Sequence, residues 1–147
     1  MLAVHSWMRW LTLLLAFATT LNAFRQPAAV DGPLPGRWWD TFFMMAVDLQ
    51  VLFGLVLYFG LSPFTKQAME NFALAMKTPS VRFWAIEHVG GMFAAVLLVR
   101  MGRVLAKTAK TPAAARNRRL ICFALATLTM IASIPWPGLA NGRPLFR

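Results

Sequence analysis

Residues 79–105 read PSVRFWAIEHVGGMFAAVLLVRMGRVL, and no charged residue interrupts them between Val89 and Val99. A helix needs about 20 apolar residues to cross the hydrocarbon core of a bilayer. The whole chain of 147 residues is 59% hydrophobic and 14% charged, whereas soluble domains contain about 25% charged residues. The sequence therefore predicts an integral membrane protein with little soluble structure.

Three further stretches have the same apolar character. The predicted spans are residues 2–24, 38–61, 79–105 and 120–135. The expected fold is all-α, an integral membrane four-helix bundle that forms a single transmembrane domain over residues 1–147. Proline and glycine break the connection at residues 25–37, and Thr78 is expected to cap the third helix. Apolar residues recur among polar ones at residues 62–77, which predicts a short helix on the membrane surface.

The charge distribution predicts the orientation. The formal net charge is +10, from 15 Lys and Arg against 5 Asp and Glu. Seven basic residues and no acidic residue lie between Arg100 and Arg119, around the third connection. These charges lie between apolar runs, which argues against nucleic acid and favours contact with anionic membrane lipids. By the positive-inside rule, both termini are predicted to be periplasmic in a bacterial inner membrane, although Arg9 mildly opposes this.

The two histidines, His5 and His88, are the strongest candidates for a functional site. Each lies toward the amino end of an odd-numbered span, so both are expected on the same side of the membrane. Neutral imidazole is a usual axial ligand of haem iron, and two helices with one histidine each can form a bis-histidine site. Arg9 lies one turn from His5 and is a suitable partner for a haem propionate.

The residues around His88 extend this candidate site. Trp84 and Met92 lie one helical turn on either side of His88. Gly91 has no side chain, which would let a flat macrocycle approach the backbone. An alternative interpretation is that His5 is only an interfacial polar residue and that Gly91 allows close helix packing.

Carboxylates in the spans give a second candidate. Asp48 lies near the middle of the second span, where an unpaired charge costs about 2.5 kcal/mol or more. We expect either a structural ion pair with Arg100 or a proton or quinone site formed by Asp48 and Glu87. Asp40 is expected to be an interfacial, helix-capping residue.

The sequence contains no motif for soluble catalysis. It has no glycine-rich phosphate loop, no cysteine pair and no recognisable nucleophile and base. Cys122 is expected to pack in an apolar run. The 9 methionines suggest a copper site as a weaker alternative, since thioethers suit Cu(I) but also fill apolar cores.

Several motifs resemble those of small bacterial four-helix membrane proteins described as cytochrome b-like. The motifs are His5-Ser6-Trp7-Met8-Arg9-Trp10, Phe83-Trp84-Ala85-Ile86-Glu87-His88 with Met92, Gly102-Arg103, Ile134-Pro135-Trp136-Pro137 and Gly142-Arg143-Pro144-Leu145-Phe146. The resemblance implies a single haem b carried by His5 and His88. The topology also resembles that of cytochrome b561, but two histidines are too few for two bis-histidine haems.

These observations lead to one preferred function and two alternatives. We expect a haem b membrane subunit that relays electrons near the periplasmic face within a larger redox complex, with a quinone as a further ligand class. The first alternative is a non-redox structural subunit of a respiratory or photosynthetic complex, with or without a bound pigment. The second is a small transporter component that uses Asp48 and Glu87. An electron-transfer subunit is favoured over a stand-alone enzyme.

Overall fold

The computed structural model describes residues 1–26 and 37–145, with Arg37 described by its backbone alone. All regular secondary structure in these residues is helical. The helices are α1 (Leu2–Arg25), α2 (Arg37–Val56), α3 (Pro63–Glu70), α4 (Phe72–Lys77), α5 (Pro79–Arg82), α6 (His88–Lys107) and α7 (Pro112–Ser133). Two π-helical turns, Leu57–Leu61 and Phe83–Glu87, extend α2 and join α5 to α6. The expectation of an all-α fold is therefore confirmed.

Three helical stretches of the described chain are long and apolar enough to cross a membrane. They are Leu2–Arg25, Trp38–Leu61 and Pro79–Lys107, and they match the first three predicted spans. The helix α7 begins at Pro112 rather than at residue 120. Its first two turns contain three arginines, and its apolar part after Arg119 extends only about 20 Å. For this reason α7 is not among the helices that are long and apolar enough to cross a membrane.

The four long helices contact one another in a closed order, α1 with α2, α2 with α6, α6 with α7, and α7 with α1. Their core includes Phe43, Val99 and Phe123, which are almost completely buried. The Phe43 and Phe123 rings meet edge to face, with centroids 5.9 Å apart. A Cβ at Gly102 would lie 2.9 Å from Cys122 Cβ and from a Phe123 ring carbon. Glycine at this position therefore lets α6 and α7 pack closely.

Large apolar side chains on the outer faces of these helices are exposed. Leu14, Leu97 and Leu128 are each more than half exposed. A soluble monomer seldom presents so much contiguous apolar surface to water. The outer surface is compatible with a membrane protein.

The surface segment at residues 62–77 contains two short helices rather than one. Asn71 separates them and caps α4, because its side-chain oxygen accepts a hydrogen bond from Leu74 N at 2.9 Å. Ser62 caps α3 in the same way. The expected side-chain cap at Thr78 is not formed, since its hydroxyl instead donates to Leu74 O at 3.0 Å.

Candidate functional site

A largely apolar cavity of about 440 Å³ lies where α1 and α6 begin and α2 and α7 end. We call it the imidazole cavity, because His5 and His88 both line it. The centroids of the two rings are 6.5 Å apart, and their planes lie 77° apart. The two histidines, which are separated by 83 positions in the sequence, thus meet at one depth in the fold.

The ring of His88 is held by a backbone carbonyl of α7. His88 Nδ1 lies 2.7 Å from Ser133 O. A carbonyl oxygen can only accept, so Nδ1 carries the proton and Nε2 keeps its lone pair. An Nδ1–H bond to a backbone carbonyl is the arrangement that orients a metal-binding imidazole.

The ring of His5 packs against the end of α2. Gln50 donates its amide N–H to His5 O at 3.0 Å, and the same nitrogen is 3.4 Å from His5 Nε2. Gly54, one turn further along α2, leaves room for the ring, since a Cβ there would lie 3.2 Å from His5 Cε1. These two α2 residues fix where the first imidazole lies.

Enclosed polar atoms on the cavity wall lack a partner. Among the described residues, His5 Nδ1, Gln50 Oε1 and Arg9 Nε have no hydrogen-bond partner. Each buried, unsatisfied group costs about 1–3 kcal/mol, and such groups are rare in folded proteins. Three of them around one cavity favour a site that a polar or metal-containing ligand completes.

Two arginines line the cavity beside the C-terminal segment. Arg9 donates to Leu145 O at 2.7 Å, which ties this segment to α1. The guanidinium of Arg143 lies 5.2 Å from the centre of the Trp84 ring. The cavity wall therefore combines apolar side chains with two guanidinium groups that can bind an anionic ligand group.

Both π-helical turns contribute to the cavity wall. Tyr58, in the first turn, donates its hydroxyl to Ala85 O, in the second, at 2.9 Å. Tyr58 and Trp84 both line the cavity. Single π-helical turns occur frequently at functional sites, because the extra residue changes the direction of nearby side chains.

The predicted site residues largely converge on this cavity. His5, Arg9, Trp84, His88 and Met92 all line it. Gly91 is not among the described wall residues. A Cβ at Gly91 would overlap the Ser133 side chain, so this glycine serves the packing of α6 against α7 and does not face the cavity.

The carboxylates lie elsewhere. Asp48 accepts from Arg100 at 2.8 Å, and Glu87 accepts from Arg82 at 2.6 Å. Neither carboxylate belongs to the described cavity wall. The two side chains thus take part in separate ion pairs.

Asp40 lies in the first turn of α2 and pairs with a residue of α7. It is only 4% exposed and forms an ion pair of 2.5 Å with Arg119. Arg119 also donates to Gln26 Oε1 at 2.5 Å. Arg119 lies on α7, 79 positions after Asp40 in the sequence. The residues next to Asp40 therefore do not predict this pair.

Sequence reasoning missed many residues of the cavity wall, among them Gln50, Gly54, Tyr58 and Arg143. Gln50 and Gly54 are one helical turn apart, so they lie on the same face of α2. A polar and a small residue on one face of an apolar span were a detectable signal for this part of the wall. Arg143 follows a proline-rich segment, where no periodicity predicts direction.

Within the described ranges, no three His, Cys, Asp or Glu side chains come together as a multi-ligand metal site. A metal held by the two imidazoles would need its other ligands from outside these described residues, as a macrocycle could supply them. No protein-family model, curated protein or solved structure matches the chain.

Proposed function

We propose that the chain is a membrane protein that binds one haem b between His5 and His88 and relays electrons. The observation that carries this proposal is the pair of imidazoles on opposite helices at one cavity, with ring centroids 6.5 Å apart. Metal–imidazole bonds of about 2 Å would separate the centroids of two collinear ligand rings by roughly 6 Å. The spacing of the two rings therefore fits a single metal ion between them.

The donor chemistry of His88 supports the same conclusion. Its Nδ1–H is committed to Ser133 O, so the neutral ring has Nε2 free as a donor of electrons to a metal. The carbonyl also fixes the ring orientation, which is the role of an outer partner in metal sites. Gln50 donates to His5 O of α1 and its amide nitrogen lies 3.4 Å from His5 Nε2, so it positions the ring and leaves Nδ1 as the nitrogen without a partner.

Arg9 and Arg143 fit the two anionic groups of such a ligand. Both line the cavity, and Arg9 has an enclosed Nε without a partner. Guanidinium groups bind carboxylates well because they offer several donors in one plane. We assign these two residues to the haem propionates.

The surrounding wall would set the properties of the bound group. When bound, haem supplies one-electron redox chemistry whose potential depends on axial ligands, hydrogen bonds and burial. Leu13, Val51 and Met130 are among the apolar side chains of the wall. They would exclude water from a bound haem, and burial in an apolar wall is one of the factors that set the potential.

The proposed membrane arrangement uses all four long helices. The three apolar stretches would cross the bilayer, and α7 would complete a four-helix bundle with its arginines at the cytoplasmic surface. Both termini and the imidazole cavity would then lie toward the periplasm of a bacterial inner membrane. Electron exchange would occur there with a larger redox complex.

A visible spectrum of the purified protein tests the haem assignment. The full chain is produced in a haem-synthesising host, purified in detergent and measured in oxidised and reduced forms. We expect a low-spin b-type spectrum in the wild type and its loss in both His5→Ala and His88→Ala. Gln50→Leu should weaken haem binding by about 10- to 100-fold, because an outer partner of a ligand is lost.

Val51→Ile is the matched control, since Val51 lines the same cavity and has no atom that can ligate a metal. Its spectrum should be that of the wild type, and circular dichroism should show that the histidine variants keep their helices. A wild-type protein that stays colourless after haem is added overturns the proposal. An extracted pigment of the chlorophyll class would also overturn it, in favour of a pigment-binding subunit.

A further inference from the structure

A second cavity, of about 270 Å³, lies at the opposite end of the long helices. Gln26 directly follows α1 and accepts a hydrogen bond from Arg119 of this cavity wall. It is 21 positions after His5, which corresponds to about 30 Å along a helix. The cavity lies between the end of α6 and the start of α7, and we call it the basic cavity. Its charged wall residues are Arg103, Lys107, Lys110, Arg119 and Asp40.

Arg119 is the buried part of this wall. Its side chain is 1% exposed, and its two terminal nitrogens donate to Asp40 Oδ1 and Gln26 Oε1. Its Nε is enclosed and has no hydrogen-bond partner among the described residues. Arg119 therefore contributes a buried positive charge to the wall, and Asp40 is its paired carboxylate.

Arg103 adds a second guanidinium that has neutral partners. It donates to Met44 Sδ at 3.0 Å and to Thr41 Oγ1 at 3.2 Å. The ion pairs of the described residues include neither Arg103 nor the two lysines of the wall. Within the described wall, four cationic side chains therefore accompany one carboxylate, and that carboxylate already pairs with Arg119.

The amino end of α7 adds partial positive charge to the wall of the basic cavity. Thr111 caps this helix of 22 residues, and Pro112 occupies its first turn. Both residues line the cavity. The amino end of a helix has a partial positive charge that favours anions, phosphate groups above all.

From the four cationic side chains of the wall, the neutral partners of Arg103 and the start of α7, we infer that the basic cavity binds a phosphate group. The phosphate would belong either to the headgroup of an anionic membrane lipid or to inorganic phosphate. Arginine suits this ligand because its planar fork of donors matches phosphate oxygens. The site lies at the other end of the helices from the imidazole cavity, so it does not depend on the haem proposal.

The experiment uses the full chain in neutral detergent. Native mass spectrometry measures retention of phosphatidylglycerol against phosphatidylcholine, and thermal unfolding is followed with added sodium phosphate against sodium chloride at equal ionic strength. Arg103→Gln is the test variant, and Lys107→Gln with Lys110→Gln is a second one. Arg119 is left intact, because its removal would leave Asp40 buried without its partner.

Arg118→Gln is the matched control. Arg118 lies on the same helix and is exposed, it donates to Leu105 O at 3.0 Å, and it does not belong to the described cavity wall. Preferred retention of phosphatidylglycerol, weakened about tenfold or more in Arg103→Gln and kept in Arg118→Gln, supports a lipid headgroup. A phosphate-dependent rise in melting temperature with the same variant pattern supports inorganic phosphate.

Two outcomes overturn the inference. One is equal retention of both lipids together with no effect of phosphate on the melting temperature. The other is equal loss of binding in Arg103→Gln and Arg118→Gln, which would mean that net charge at this end of the molecule explains the affinity without the cavity.

Discussion

The buried polar residues at the two ends of the long helices differ in how many of their polar atoms have hydrogen-bond partners. At one end, two imidazoles face an apolar cavity, and nearby ring and amide atoms lack partners. At the other, Arg119 is buried with Asp40 and Gln26, which accept from its two terminal nitrogens. A polar group whose partners come from the same chain stabilises the fold, whereas a group left unsatisfied at a cavity indicates a ligand. The comparison separates buried polar groups with partners in the described chain from those that we propose a ligand completes.

The largest expected effect concerns the buried ion pair. Asp40→Ala leaves the Arg119 charge buried without its carboxylate, and we expect a loss of about 3–5 kcal/mol in the free energy of unfolding. Equilibrium unfolding in mixed micelles, followed by circular dichroism, measures this value. Glu87→Ala is the matched control, because its pair with Arg82 is half-exposed and contributes at most about 1 kcal/mol. Equal losses in the two variants would contradict the structural role of the buried pair.

A smaller effect is expected from the close contact of α6 with α7. Gly91→Ala would place a methyl group against Ser133, and we expect a loss of about 1–3 kcal/mol in stability from overpacking. Gly90→Ala is the control, since a Cβ there has no neighbour within 4 Å. That variant should gain about 0.5–1 kcal/mol, because alanine restricts the unfolded chain.

The two glycine variants also test whether Gly91 faces Ser133 or the imidazole cavity. Ser133→Gly should restore part of the stability lost in Gly91→Ala, because it removes the side chain that the new methyl group meets. If Gly91→Ala were as stable as Gly90→Ala, the contact with Ser133 would be wrong. A role for Gly91 beside the macrocycle would then have to be reconsidered.

The smallest effect is expected at the π-helical turns. Tyr58→Phe removes one hydrogen bond to Ala85 O and keeps the aromatic ring, so the loss should be about 1 kcal/mol. The same unfolding measurement detects it. An unchanged stability would mean that this bond does not hold the two turns together.

The sequence predicted the positions of the long helices well, because runs of apolar residues longer than a soluble helix requires have few other structural solutions. It was less accurate at the ends. The predicted fourth span began at residue 120, but α7 begins at Pro112, directly after its cap Thr111. The arginines before Leu120 interrupt the apolar run, so hydropathy alone does not show where the helix begins. Asn71 divides the surface segment because its side chain satisfies the backbone of the next turn.

The candidate site was predicted in part. The expectation that His5 and His88 lie on one side of the membrane followed from their places in odd-numbered spans, and the structure puts their rings together. Their ligand remains a proposal. The burial of Asp40 and the contact of Gly91 with Ser133 were not predicted, because both depend on which face of α7 turns inward.

Composition and spacing were thus sufficient for the helical class, the apolar spans and the concentration of positive charge at one end. These are local properties, and each can be read along a single segment. The tertiary structure alone decided other polar pairings, such as Ser133 O with His88 and Arg119 with Asp40. Such pairings depend on the rotation and depth of one helix against another, and many weak packing contacts across the whole core fix these.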